Sequence, residues 1–304
     1  MPCYHPMKAW RSLEVNPSGK RSLVFDASKG FKDLEVTLPC GQCIGCRIER
    51  SRQWAVRCVH EASLHDDNCF ITLTYDNDHL PADGSLDVSH FQKFMKRLRR
   101  KFPDKRIRFF HCGEYGEKYG RPHYHALIFG FDFPDKELYQ VRNDQKLFIS
   151  DILSKLWPFG FSSIGSVTFD SAAYVSRYIM KKVTGDKAAL HYSDIDYDTG
   201  EILGSRKPEY VTMSRKPGIA ADWFREFGSD VFPDDFVVIN GKKYKPPKFY
   251  DGQFELSHPD ELKAIKAKRI VDAKARSFDN TPERLHVKEK VKFVQLQRLV
   301  RGLD

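Results

Sequence analysis

No run of 18 uncharged apolar residues occurs anywhere in the chain, so a membrane-spanning helix is not expected. The N-terminus, MPCYHPMKAW, lacks the charged-then-apolar order of a secretion signal, and a cytoplasmic location is the expectation. No G-x4-G-K-[ST] phosphate loop is present, which leaves nothing to support a fused ATP-driven helicase. Internal repeats are absent as well. Cysteine is sparse and odd in number, seven in all, which suits reduced thiols or metal ligands better than a disulfide framework. DIDYDTGEI at 194–202 spaces Asp194, Asp196 and Asp198 like a calcium loop. Thr199 stands where such a loop needs glycine and Ser205 where it needs a bidentate glutamate, so the segment reads as a polar turn.

What is present supports a folded protein with a polyanionic partner. The 304 residues are 41% hydrophobic and 13% aromatic, enough for a core. Fifty Lys and Arg against 41 Asp and Glu give a formal charge of +9, concentrated in particular segments. Nucleic acid is the first candidate, and a merely soluble basic surface is the plainer reading of the same charge.

Residues 1–40 read as irregular. A helix is expected from Ile44 to His65, with Ile48, Ala55, Val59 and Ala62 on its apolar face and Arg47, Arg50 and Arg57 elsewhere. NCFITLTY at 68–75 is a strand by its β-branched and aromatic content. A helix follows, striped by Val88, Phe91, Met95, Leu98 and Phe102, with Ser89 and Gln92 as a capping box. Lys93, Lys96, Arg97, Arg100 and Lys101 fill its other side, which reads either as a solvated face or, by its density, as a phosphate contact. RIRFFHCGEYG and HYHALIFGF form a hairpin, LFISDILSKLW (147–157) a short helix, FSSIGSVTF a fourth strand and SAAYVSRYIMKK a further helix. This order predicts an α+β fold: an antiparallel sheet with a ferredoxin-like βαββαβ core, helices on one face and a site on the other. Beyond it come a polar excursion (184–210), a short helix (219–227), the basic turn-rich NGKKYKPPK, and helices at 259–277 and 282–302, the last capped by Thr281.

RPHYHALIFGF at 121–131 sets His123 and His125 around Tyr124. Eleven histidines in 304 positions make ~0.4 such triplets by chance, so its setting must supply the weight. On a strand the two imidazoles share a face, where they can chelate one ion or simply lie exposed. If the turn centres between Lys118 and Tyr119, Glu114 falls opposite His123 on that face. Two imidazoles and a carboxylate suit Mg2+ or Mn2+ acting on phosphate better than Zn2+. Tyr124 should point into the core. Tyr174 and Tyr178, four residues apart, share a helical face with Arg177, Lys181 and Lys182 close by; such a pair can be packing, or a phenolate able to attack a phosphodiester.

FITLTY (70–75), CGEYGEKYGRPHYHALIFG (112–130) and AAYVSRYIMKK (172–182), in this order, resemble the motifs of the HUH endonucleases, rolling-circle replication initiators of small circular single-stranded DNA replicons. Within them the chain is most similar to the initiators of gokushoviruses, phages of the Microviridae, a likeness that extends to 39–57, 211–224 and 240–247. The resemblance implies metal binding by His123, His125 and Glu114, and alternating nucleophilic attack by Tyr174 and Tyr178. It implies nicking and rejoining of single-stranded DNA at a phage origin through a 5′-phosphotyrosine, assisted by Lys181 or Lys182. The setting would be the host bacterial cytoplasm, with a host helicase and polymerase as partners.

Cys40, Cys43 and Cys46 form C-x2-C-x2-C, and Cys3 could complete a structural Zn2+ site; buried free thiols are the alternative, and an iron–sulfur cluster lacks its C-x3-C-P continuation. Cys58, Cys69 and Cys112 read as core. The expected organisation is a Cys-rich segment with a basic helix at 1–66, a nicking core at 67–184 and a basic extension at 185–304. DNA contacts are expected from Arg47, Arg50, Arg57, Lys93, Lys96, Arg97, Arg100 and Arg177. A zinc-containing basic DNA-binding protein without activity, or an HUH transposase or relaxase, are the competing functions.

Overall fold

Short period-2 apolar runs separated by helical ones make the chain α+β with antiparallel sheets. The structure, a computed structural model, describes residues 3–116, 119–142, 145–177, 182–183, 187–196 and 198–297. Among the described residues two units are distinguished: 3–50 with 268–297, and Ser51–Ala267.

In the first unit β1 (Met7–Ser12), β2 (Leu23–Val24) and β3 (Gly30–Leu38) form a sheet ordered β2-β1-β3. This corrects the irregular reading of residues 1–40. Exposed polar residues, such as Lys8 and Glu35 in a 3.2 Å ion pair, hide the alternation that would have revealed these strands.

The chain continues through α1 (Ile44–Ala62), β4 (Asn68–Thr74), α2 (Val88–Lys101), β5 (Arg108–Tyr115) and β6 (Pro122–Phe129). Next come β7 (Glu137–Arg142), β8 (Gln145–Ile149), α3 (Asp151–Leu156), β9 (Ser162–Gly165), α4 (Phe169–Arg177) and α5 (Lys187–Tyr192). β10 (Ser193–Ile195), β11 (Ile202–Ser205), β12 (Tyr210–Met213), α6 (Ala221–Phe227), β13 (Val237–Ile239) and β14 (Lys242–Tyr244) follow. α7 (Lys248–Glu255), α8 (Pro259–Ala275) and α9 (Pro282–Gln297) complete the described chain. Where one helix was expected at 147–157, β8 pairs Phe148 with Ile164, and Ser150 then caps α3 by accepting from Leu153 N at 3.0 Å. Asp87, rather than a Ser89–Gln92 box, caps α2, accepting from Ser89 N at 2.8 Å.

The large sheet has the order β12-β5-β6-β4-β9-β8-β7, and each described neighbour pair is antiparallel. Its two faces carry separate cores. Ile71, Leu73, Tyr124 and Ile128 meet Phe91, Phe94 and Leu98 of α2 and Leu153 of α3. On the other face Phe70, Phe110, Leu127 and Phe129 meet Ala55 and Val56 of α1, Ala172 and Val175 of α4, and Tyr250 of α7. The expected free face is therefore corrected: helices cover both sides. Strand β6 is apolar on both parities, which is the signature of a sheet buried twice.

A buried ion pair anchors the second core. Arg108 bonds Glu61 and donates through a terminal nitrogen to Pro217 O at 2.9 Å, while Ala220 N donates to Glu61 Oε2 at 2.6 Å. Ala220 sits at φ 59°, a left-handed conformation costly for a residue with a Cβ, and Glu61 helps hold it there. Arg108→Met should strand the Glu61 charge and destabilise the protein by about 3–5 kcal/mol in urea unfolding. An unchanged unfolding midpoint would show that the pair contributes nothing.

Candidate functional site

Antiparallel register assembles the first cluster. Glu114 on β5 pairs with His123 on β6, and Thr72 on β4 pairs with His125, so all four side chains share the face covered by α4. His123 Nε2 and His125 Nε2 each lie 3.0 Å from the same oxygen, Glu114 Oε1. The His123 Nδ1–H donates to Arg121 O at 3.1 Å, because a carbonyl can only accept. In the neutral ring Nε2 then presents its lone pair toward a carboxylate. Such an array suits a positive charge, whether an added proton or a metal ion. The three ligand atoms lie within 4.8 Å of one another and could hold an ion, and the 3.0 Å separations match the spacing of about 3 Å between adjacent ligands of an octahedral ion bound at about 2.1 Å.

Burial alone would raise the Glu114 carboxyl's pKa, yet the two imidazoles outweigh that and hold it well below the usual carboxylate range. Glu114 stays ionised, as a ligand must. His125 Nδ1 lies 3.0 Å from Thr72 Oγ1, which orients the ring. Reading the sequence for ligands missed Thr72 and the Arg121 carbonyl. The signal for Thr72 was its place on FITLTY, but only the β4–β6 register reveals it.

Tyr174 is brought to this cluster. It is 7% exposed, and its ring stands edge-on to His125 with centroids 5.1 Å apart. The guanidinium of Arg177 lies 5.8 Å from the Tyr174 ring centre. Lys182 is exposed, while Tyr178 and Lys181 lie outside the described residues.

The expected DNA-binding residues are scattered. Lys93, Lys96 and Arg100 are exposed on α2, which packs on the sheet face opposite Glu114. Arg97 donates Nε and a terminal nitrogen to Leu156 O at 3.0 and 2.7 Å. Arg47 and Arg50 belong to the first unit. Arg57 is a correction. It is 9% exposed, donates to Ile219 O at 3.1 and 2.8 Å, and lies 4.1 and 3.9 Å from the ring centres of Trp54 and Phe249. A guanidinium so enclosed is a packing element and cannot face a phosphate.

A second cluster lies in the first unit, where Cys3, Cys40, Cys43 and Cys46 converge within 4.8 Å and could hold a metal ion. Cys3 Sγ is 3.8 Å from Cys40 Sγ and 4.0 Å from Cys43 Sγ, near the edge of about 3.8 Å in a tetrahedron with 2.3 Å bonds to sulfur. Backbone N–H groups of Tyr4, Cys40 and Cys43 donate to the sulfurs of Cys43, Cys3 and Cys40, each at 3.3 Å. Burial pushes the Cys43 thiol up, but the N–H groups of Tyr4 and Cys46 lead the groups that bring it down to about 7. Cys58, Cys69 and Cys112 are fully buried core thiols.

Six of the seven strands of the large sheet, all but β12, together with the carboxylate–imidazole cluster and α4, lie within the part of the chain, residues 68–183, that matches the family model of replication-associated protein ORF2/G2P. Over 278 residues, 88% of this chain and 82% of the relative, it is 34% identical to replication-associated protein VP4 of Bdellovibrio phage phiMH2K. It is 33% identical over 269 residues to replication-associated protein ORF2 of Spiroplasma virus 4, covering 84% and 79% of the two chains. A third relative, replication-associated protein ORF4 of Chlamydia phage 1, is 33% identical over 74% of this chain and 55% of its own. The chain belongs to this family of replication-associated proteins of Microviridae-type phages. No solved structure matches it.

Arg57→Ala should lower stability by about 2–4 kcal/mol, through lost packing and the orphaned Ile219 carbonyl, and leave the affinity of the folded protein for single-stranded DNA unchanged. Chemical denaturation beside fluorescence anisotropy separates the two. Weakened DNA binding at unchanged stability would return Arg57 to the DNA surface.

Proposed function

We propose that this protein initiates phage DNA replication by nicking and rejoining single-stranded DNA at an origin, in the manner of an HUH endonuclease. The observation that carries the reading is the convergence of Glu114, His123 and His125 on one sheet face with the Tyr174 ring against His125. The strand order β5-β6-β4-β9, with α2 after β4 and α3 before β9, supports a ferredoxin-like βαββαβ core beneath it. Family membership supplies the replicative context.

His123, His125 and Glu114 would hold Mg2+ or Mn2+, which when bound draws charge from a phosphate oxygen and orients the scissile bond. The phenol oxygen of Tyr174, or of Tyr178, attacks the phosphorus. A P–O bond to tyrosine forms as the P–O3′ bond breaks, and the phenolic proton ends on the departing 3′ oxygen. The product is a 5′-phosphotyrosine and a free 3′-hydroxyl. Attack by a 3′-hydroxyl on that ester reverses the chemistry and closes the strand. Arg177, and Lys181 or Lys182, supply positive charge for the phenolate or the phosphate. With no phosphate loop in this sequence, strand separation falls to a host helicase and synthesis to a host polymerase, in the host cytoplasm. The Cys3, Cys40, Cys43 and Cys46 cluster we assign to structural Zn2+, on the strength of its sulfur spacing and N–H···S bonds.

Incubated with circular single-stranded phage DNA and Mn2+, the protein should form an adduct that survives denaturation. The Tyr174→Phe, Tyr178→Phe double variant should form none, and His123→Ala should lose cleavage at least about 100-fold while keeping most of its DNA affinity, since backbone contacts supply the binding. Intact DNA across metals and substrates would refute the reading.

Elemental analysis of the purified protein should find about one zinc per chain, absent from Cys43→Ser and retained in Cys58→Ala. Iron with visible absorbance, or equal zinc in both variants, would overturn the assignment.

A further inference from the structure

Residues 236–250, FVVINGKKYKPPKFY, contain four lysines and no acidic residue. The segment folds as a hairpin of β13 and β14, pairing Val237 with Tyr244 and Ile239 with Lys242. Its turn residues Asn240 and Gly241 have φ of 50° and 73°, the left-handed pair that a two-residue hairpin turn requires. Val237 and Ile239 are buried in the core that also contains α4, so the hairpin is seated on the protein. Lys242, Lys243, Lys245 and Lys248 are all exposed.

Three contacts fix where this basic surface lies. Tyr244 stacks on Phe169, the first residue of α4, with ring centres 5.5 Å apart. Arg52 donates to Lys245 O at 2.8 Å, and Lys248 N donates to Gln53 Oε1 at 3.1 Å. The same stretch of α1 touches α4, where Ser51 Oγ donates to Ala173 O at 3.3 Å. Tyr174 stands five residues beyond Phe169, about 7.5 Å along the helix. Pro246 and Pro247 stiffen the link between Lys245 and Lys248, so little chain entropy is lost when a ligand engages both. The lysines of α2, by contrast, belong to the opposite sheet face.

We propose that the β13–β14 hairpin, through Lys242, Lys243, Lys245 and Lys248, is the docking surface that holds the phosphate backbone of single-stranded DNA beside α4. Delivery of the strand to Tyr174 rests on the nicking reading; binding at the hairpin does not. The lysines contact phosphates and read no bases, so the contribution is independent of sequence and sensitive to salt.

The test is fluorescence anisotropy of the full chain on a labelled single-stranded oligonucleotide of arbitrary sequence, over a range of salt and without added divalent metal. Lys242→Ala with Lys243→Ala should weaken binding about tenfold and flatten the log-affinity against log-salt slope by about 1.4, or about 0.7 for each phosphate that the variant leaves unneutralised. Thermal unfolding checks that the variant is folded, and Lys245→Ala with Lys248→Ala provides a second pair for which the same loss is expected. Wild-type affinity and slope in both pairs, or a larger loss from Lys96→Ala with Arg100→Ala on α2, would overturn the proposal. A hairpin-dependent affinity in a protein that forms no covalent adduct would sink the nicking reading and leave this one standing.

Discussion

Pairing of Glu114 with His123 is the constraint on which the candidate site depends. Side chains along a strand alternate between faces, so a slip of one residue in β6 would turn both histidines toward α2 and bring Tyr124 to Glu114. The opposite face guards against that slip. Tyr124 is fully buried, with its hydroxyl 2.8 Å from that of Tyr75; it accepts from Asp87 N at 2.9 Å and donates to Asp87 O at 3.0 Å. Asp87 caps α2, so the residue between the histidines locks the strand to a helix on the far side of the sheet. Gly113 contributes by its size: a Cβ there would come within 2.8 Å of the Tyr210 ring, next to the Glu114 that faces the other way.

The environment of the cluster follows from the same register. Glu114 and His125 are each 1% exposed, with Phe70 and Tyr174 against the His125 ring, whereas the His123 side chain is 13% exposed. A carboxylate removed from water so fully is costly unless a positive charge sits against it, and the two imidazoles alone carry that charge only when protonated. A metal ion would do the same at neutral pH, so the arrangement that buries the carboxylate is also one that could hold an ion. On the nicking proposal, His123, as the more open of the two rings, would mark the side from which a phosphate approaches the cluster.

Much of this was legible in the sequence wherever local pattern and physical need coincide. NCFITLTY, the β5–β6 hairpin and α2 carry strong periodicity, and counting residues across a short turn was enough to set Glu114 opposite His123. Where pairing is non-local and side chains are exposed, the pattern fails. β1 and β3 pair residues from 18 (Ser12 with Gly30) to 31 (Met7 with Leu38) apart, and β12 joins β5 from about a hundred residues downstream. ALIF in β6 is apolar at every position because both faces of the strand are buried, so alternation there cannot single out one face. Arg57 reads as surface charge because the atoms that enclose it, the Ile219 carbonyl and the Phe249 ring, come from far along the chain.

The two proposed metal sites answer different physical problems. In the large unit the core is already extensive, and the histidine–carboxylate cluster is set into it as a polar exception. In the first unit Leu13, Val15, Leu23, Phe25, Phe31 and Leu34 are exposed, and the residues buried around its sheet are small: Ala9, Ser12 and Gly30. A three-stranded sheet with so little apolar burial supplies little core of its own. Cys3 lies just before β1, and Cys40, Cys43 and Cys46 lie between the end of β3 and the first turn of α1. An ion bound by all four would close the sheet at its open end and fix the start of α1, supplying as coordination what this unit lacks as core.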